Sequence, residues 1–408
     1  MLELDLIQTL AFAGVALLLG EGLRRVVPVL ARYNLPAPVL GGLLVAVVVL
    51  IARGQGVTLV QFDTTLQSPL MIAFFTTIGF GASLSLLKVG GPDVLRFFVM
   101  ATIFAVLQNV VGILVALGFG LHPLFGVLAG SVTLTGGPAT GLAFAPLFEE
   151  AGVIGASSIA IAIAIGGIVS GGLVGGPAST ILIDRGRVPT PRRGPGGAGG
   201  TAEVALVETE VETTVIASTD DDDDAWPIAK NLVAILVAMW IGAWVGQGFA
   251  ALGMTLPSYI GAMLVAAAIR NLDDVTGWFG LSHRFINSFG IVTLTLFLVM
   301  ALMTLKLWEL TGLVLPLVAI LAAQVVLAVL ALMPVYRMMG RNYEAVVMGG
   351  GFIGFMLGTT ANAMAVMRAL VERYGPAPRA FLVAPLVGAF FIDFTNALII
   401  TVFLNLLT

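Results

Sequence analysis

The chain is 408 residues long, 59% hydrophobic and only 10% charged, with a mean hydropathy of +1.06. Soluble domains carry about 25% charged residues, so the composition excludes an ordinary soluble domain and implies a polytopic membrane protein; no basic cluster offers a nucleic-acid surface. The net charge of -4 says little about partners, because ten of the 23 acids lie between Asp184 and Ala225, and the absence of cysteine excludes disulfides, thiolate catalysis and cysteine–metal sites.

Apolar runs long enough to span a bilayer, roughly 17 to 25 residues, begin with Asp5–Gly22, which has no basic segment before it and reads as a first span, not a cleavable signal. Pro36–Ala52, Pro69–Leu87 and Val94–Leu117 follow. The charge-free run from Phe97 to Phe148 is too long for one span and fits a span plus a re-entrant hairpin over Leu124–Pro146. Inside it, Thr133–Gly141 reads TLTGGPATG, where two glycines and a proline interrupt the helical hydrogen-bond ladder. The fifth span is Val153–Ile183.

Residues 184–225 combine proline, glycine and a run of acids from Asp220 to Asp224, a composition that cannot build a core and reads as a flexible linker. The pattern then restarts with Trp226–Leu252, Leu256–Ile269, Phe285–Leu305 and Leu310–Tyr336. A second hairpin is expected over Val347–Met367, then a charged stretch Arg368–Arg379 and a last span, Ala380–Leu407.

The fold expected is therefore all-α, with two repeats over 1–183 and 226–408, each of five spans and one hairpin. Weak echoes support the repeat: Ala105–Val111 against Leu321–Leu327, with Gln108 opposite Gln324; Ser83–Leu86 against Leu302–Leu305; Gly137 opposite Gly358. Their offsets stay between 216 and 221 positions. An odd span count inverts the second repeat. With both termini outside, 17 of the 19 Lys and Arg fall on cytoplasmic segments, leaving Arg53 and Lys306 outside, as the positive-inside rule expects. Inverted repeats with one broken segment each are a secondary-transporter architecture.

Within it, the first tip offers Ser131, Thr133, Thr135, Gly136, Gly137 and Thr140, and the second Gly354, Gly358, Thr359, Thr360 and Asn362. Exposed N–H groups at helix starts bind carboxylates, and freed carbonyls and hydroxyls coordinate cations such as sodium. Asp393 is the only charge in Phe381–Thr408; at the centre of a span it costs about 3 kcal/mol, so a cation site with Asn396, three positions on, and Thr133 is expected. Gln108, Asn109 and Gln324 read as interhelical amides. His122 and His283 are isolated, and no hydrolase, phosphate-loop or zinc signature appears, so enzyme chemistry is not expected. A channel or sensor would use the same cavity, but no ring of like polar residues is visible.

Gly91-Pro-Asp93, Gln108–Gly112, Gly130–Gly137, Gly175-Gly-Pro177, Leu305–Leu310, Met339–Tyr343 and Ala384–Asp393 occur in an order that resembles the bacterial glutamate:sodium symporter family over nearly the whole chain. The resemblance implies sodium-coupled glutamate uptake through an inner membrane, without a cofactor other than the coupling ion. It also implies an elevator-type carrier working as a homodimer. Where the family commonly has His-Gly-Thr after the paired glycines, this chain has Pro138-Ala139-Thr140; where it commonly has Gly-Ala-Thr-Pro-Thr-Ala, this chain has Gly358–Ala363, reading GTTANA. Another small carboxylate or amino acid therefore stays open as the cargo.

Overall fold

Asp5 opens the first helix. Its carboxylate accepts from the Gln8 backbone while the Gln8 side chain accepts from the Asp5 N–H, a capping box that satisfies two otherwise free donors. From there the computed structural model, which describes residues 2–33, 35–57, 59–85, 91–191, 225–251 and 257–408, is helical almost throughout. Apart from the short helix Pro28–Arg32, the helices in chain order are α1 (Leu6–Val26), α2 (Ala37–Gly54), α3 (Gln67–Gly81), α4 (Gly91–Gly118), α5 (Pro123–Val127, continued by a π turn Leu128–Val132), α6 (Gly137–Glu150) and α7 (Ala156–Gly186). The second half holds α8 (Ala225–Ala251), α9 (Ser258–Thr276), α10 (His283–Met303), α11 (Val314–Met338), α12 (Tyr343–Met356) and α13 (Thr360–Tyr374). It ends with α14 (Pro378–Leu386), a π turn Val387–Phe391, and α15 (Ile392–Leu407). A two-residue parallel pairing of Leu2–Glu3 with Val60–Gln61 ties down the N-terminus.

Seven of the described helices are long and apolar enough to cross a membrane: α1, α2, α4, α7, α8, α10 and α11. The other three expected spans differ from the sequence reading. The third, expected over Pro69–Leu87, ends at Gly81 because Asn271 on α9 takes the Ala82 carbonyl at 2.9 Å and the Leu84 N–H at 2.9 Å; residues 86–90 lie outside the description. The seventh, expected to stop at Ile269, continues to Thr276, since Arg270 and Asp274 pair across one turn at 2.6 Å and Asp273 accepts from the N–H groups of Phe279, Gly280 and Leu281. The last is interrupted by its π turn. Of the expected linker, Asp184–Gly186 belong to α7 and Ala225 to α8, while residues 192–224, including the acidic run, lie outside the description. The helical segments around the two expected breaks run beyond the predicted hairpin bounds, over Pro123–Glu150 and Tyr343–Tyr374, so Arg368 and Arg373 sit on a helix and not in a loop.

The helices sort into two bundles. One holds α1–α3 and α8–α10; the other holds α4–α7 and α11–α15. In the first, backbones approach closely. A methyl on Gly41 would collide with the Ala16 carbonyl in the α1–α2 pair, and one on Gly261 with the Gly242 carbonyl in the α8–α9 pair. The bundles meet along a seam where α6 touches α10, and α15 with its π turn touches α3. At its centre Tyr259 stacks on Phe75 (3.9 Å between ring centroids) and meets Phe144 edge-on (5.7 Å), an arrangement that adds about 0.5–1.5 kcal/mol per pair to the area buried. In the second bundle, Arg379 at the start of α14 donates to Asp93 at the start of α4 (Nε to Oδ2, 2.7 Å), and its backbone N–H donates to Glu344 on α12 (3.2 Å).

Candidate functional site

Both expected breaks are present. In the first, Gly130 leaves helical geometry (φ -100°, ψ -126°) and Gly137 adopts φ +68°, a left-handed conformation that a Cβ penalises. Pro138, at the second position of α6, lacks only an N–H that has no intrahelical partner there. The arms around this break pack on different neighbours: Gly126 on α5 lies against Gly112 of α4, and Gly141 on α6 against Ala160 of α7.

The second break covers Leu357–Thr359, with Thr359 capping α13 through the Asn362 N–H at 3.4 Å. Its arms fold back on each other. Gly351 faces Met367, Gly354 faces the Asn362–Ala363 backbone, and the Tyr343 hydroxyl donates to the Gly375 carbonyl at 2.7 Å. At 14 and 15 residues, each arm is about 21–23 Å long, short of the roughly 30 Å hydrocarbon core.

The two breaks touch. A Cβ on Gly137 would stand 3.6 Å from the Gly358 carbonyl oxygen and 3.7 Å from Thr359 Cγ2. The first residues of α6 and α13 therefore meet, bringing two helix N-termini, with their free N–H groups and partial positive charge, to one place. Among the predicted substrate residues this joins Gly136, Gly137 and Thr140 of one break to Gly358 and Thr359 of the other. Thr135 is turned toward Gln108, whose Oε1 accepts its hydroxyl proton. Thr360 donates to the Gly388 carbonyl at 3.0 Å, and Asn362 donates to the Ile168 carbonyl at 2.8 Å while its Oδ1 has no hydrogen-bond partner among the described residues.

A buried amide lattice surrounds this contact. Gln108 Nε2 donates to the Met356 carbonyl at 2.7 Å, and Gln324 Nε2 donates to the Gln108 carbonyl at 2.7 Å. Asn109 Oδ1 accepts from the Ser131 N–H, and Asn396 Nδ2 donates to the Ser131 carbonyl, both at 2.9 Å. Gln108, Asn109 and Gln324 make interhelical bonds, as their sequence positions suggest; what the sequence does not show is that those of Gln108 and Asn109 end at the breaks, with Gln324 bracing Gln108. The available signal was three amides in the middle of apolar spans, where an unpaired amide is costly.

The predicted cation residues point apart. Thr133 donates to the Leu128 carbonyl of its own segment at 2.8 Å, and Asn396 faces Ser131. Asp393 instead faces the seam, in a cavity of about 120 Å³ that it shares with Thr77, His283 and Asn287. A second seam cavity, of about 420 Å³, lies between Gln67, Ser68 and Ser258 of the first bundle and Leu142, Ala143 and Pro146 of α6. Among the described residues no cluster of three or more His, Asp or Glu side chains offers a multivalent metal site, whereas a single carboxylate with neutral oxygens suits a monovalent cation.

A family profile described as sodium/glutamate symporter matches residues 2–376. The chain is 40% identical over 408 residues to a sodium/glutamate symporter of Escherichia coli (strain K12), across 100% of this chain and 99% of that protein. It is 38% identical over 397 residues to one from Haemophilus influenzae, across 97% and 96%. Among solved structures, the sodium proton antiporter MjNhaP1 of Methanocaldococcus jannaschii aligns over 99% of this chain and 98% of its own, with a TM-score of 0.41 and 15% identity.

Proposed function

The chain belongs to the sodium/glutamate symporter family, and we propose that it imports glutamate together with sodium across the cell inner membrane by alternating access. It is a multi-pass membrane protein by its apolar helices. The observation that carries the reading is the contact of Gly137 with Gly358 and Thr359. Two helix N-termini opposed in this way favour an anion, since each contributes unpaired N–H donors and about half a positive charge. Glutamate carboxylates would bind there, to N–H groups at the starts of α6 and α13 and to the hydroxyls of Thr140 and Thr359, with Thr135, Gly136, Gly137, Gly358 and Thr360 shaping the contact and the Oδ1 of Asn362, unpartnered among the described residues, available to the substrate amine. Sodium would bind at Asp393.

In this reading the first bundle is a fixed scaffold, and the second, carrying both breaks, slides against it. The two halves are inverted repeats joined by a cytoplasmic linker, the breaks are re-entrant hairpins, and both chain ends lie outside. The glycine-mediated α1–α2 and α8–α9 contacts at equivalent places in the two halves support the repeat. Scaffold helices α1 and α8 present apolar side chains such as Leu18, Trp240 and Trp244 outward, which suits a homodimer within lipid.

Reconstituted uptake tests the function. Glutamate should accumulate against its gradient when sodium is higher outside than inside, saturably, and not when choline replaces sodium. Ohmic current without saturation would mark a channel; equal uptake without sodium would contradict symport. Competition by other small carboxylates and amino acids ranks the cargo.

A further inference from the structure

Among the described residues, Asp393 is the only one of the second bundle that lines the 120 Å³ seam cavity; the remaining lining comes from α3 and α10 of the first bundle. We propose that this cavity is the coupling-ion site and that a sodium ion there is held jointly by Asp393 from one bundle and by Thr77 and Asn287 from the other. The proposal rests on the reading of Asp393 as the cation residue and names ligands that this reading did not include.

The chemistry of the lining carries it. Asp393 makes no hydrogen bond or ion pair with the described residues, and neither does the Asn287 side chain, so a carboxylate and an amide oxygen stand uncommitted around one space. Thr77 donates its hydroxyl proton to the Phe74 carbonyl at 2.6 Å, which leaves its oxygen lone pairs for a cation. Gly290 on α10 makes room for that hydroxyl, since a methyl there would fall on Thr77 Oγ1. Among the described residues no Lys or Arg lines the cavity. The nearby Arg270 is paired with Asp274, and Asp273 is occupied by three backbone N–H groups. His283 lines the cavity at the start of α10. A buried carboxylate without a fixed counter-ion is costly, and a bound monovalent cation removes that cost. Asn396 and Thr133 are committed elsewhere, to the Ser131 and Leu128 carbonyls.

Ligands divided between two bundles have a consequence for coupling. An ion held across the seam is bound fully only while the bundles keep this relative position, so sliding changes its affinity. Ion binding and movement are then linked through one set of oxygens.

The test is the sodium dependence of glutamate uptake in proteoliposomes, with choline as replacement, alongside thermal unfolding in choline to establish that each variant folds. Thr77→Val and Asn287→Ala should each raise the half-saturating sodium concentration by about tenfold or more. Thr77→Ser and Asn287→Asp, which keep an oxygen in place, should restore it. Asp393→Asn should remove the sodium dependence. Unchanged sodium dependence in folded Thr77→Val and Asn287→Ala, with loss in Asp393→Asn, overturns the shared site and leaves the reading of Asp393 standing. Unchanged sodium dependence in Asp393→Asn overturns both. Should Thr77→Val fail to fold, Asn287→Ala, on an exposed position of α10, decides alone.

Discussion

Gln108 holds the last residue of α12 and the first break at once: its Nε2 donates to the Met356 carbonyl at 2.7 Å, and its Oε1 accepts from Thr135. One amide thus fixes the spacing between the end of α12 and the first break. Gln108→Leu removes both bonds and leaves the Met356 carbonyl and Thr135 hydroxyl without these partners. The expected cost is about 1–3 kcal/mol of stability, seen as a lower unfolding temperature in detergent. Uptake should fall further than stability alone explains, because the breaks lose their register.

Gly137→Ala is expected to lower uptake strongly in a protein that still folds. Its φ of +68° costs a residue with a Cβ about 1–2 kcal/mol, and the added methyl would place an apolar group in contact with the Gly358 carbonyl and Thr359, where the substrate would sit. Gly176→Ala on α7, where nothing lies within 4 Å of the new methyl, should leave uptake unchanged. Parallel uptake and detergent-stability measurements on the two variants check this.

The breaks were legible because Gly136-Gly137-Pro138 and Gly358-Thr359 contradict the helical pattern around them. The long spans were legible because their ends are marked by charge or by proline. The division into two bundles was not, since it depends on which glycine faces which backbone across distant segments. The direction of Asp393 was hidden for a related reason. Three positions along a helix leave residues about 60° apart, enough to share a face on paper, yet Asn396 turns to Ser131 while Asp393 turns to the seam. The early end of α3 depends on Asn271, nearly two hundred positions away, and no local signal announces it.

Asp273 sets a pH-dependent contribution to stability. Burial pushes its carboxyl up, but the N–H groups of Leu281, Phe279 and Gly280, with the positive charge of Arg270, together outweigh this and hold it below the usual carboxylate range. The stabilisation is therefore present above the unfolded value of about 3.9 and is lost as pH falls through the lower folded value. At neutral pH Asp273→Asn should unfold at a lower temperature than the unaltered protein, and the gap should close in acid. A gap that widens in acid would refute the assignment.

Asp93 and Arg379 join the starts of α4 and α14. Reversing either charge alone should slow uptake, since a like-charged pair would then meet at this end of the second bundle. Exchanging both, Asp93→Arg with Arg379→Asp, should recover much of the loss. A double-mutant cycle on uptake rates and unfolding temperatures measures the coupling.

The absence of native cysteine permits the most direct test of where glutamate sits. A single cysteine at Thr359, beside Gly137, can be labelled with a small thiol reagent in the otherwise unaltered protein. Glutamate and sodium together should slow labelling by about tenfold or more, the mark of a ligand occupying the contact, and neither alone should match this. A labelling rate that stays constant when both are added would place the substrate elsewhere and contradict the account.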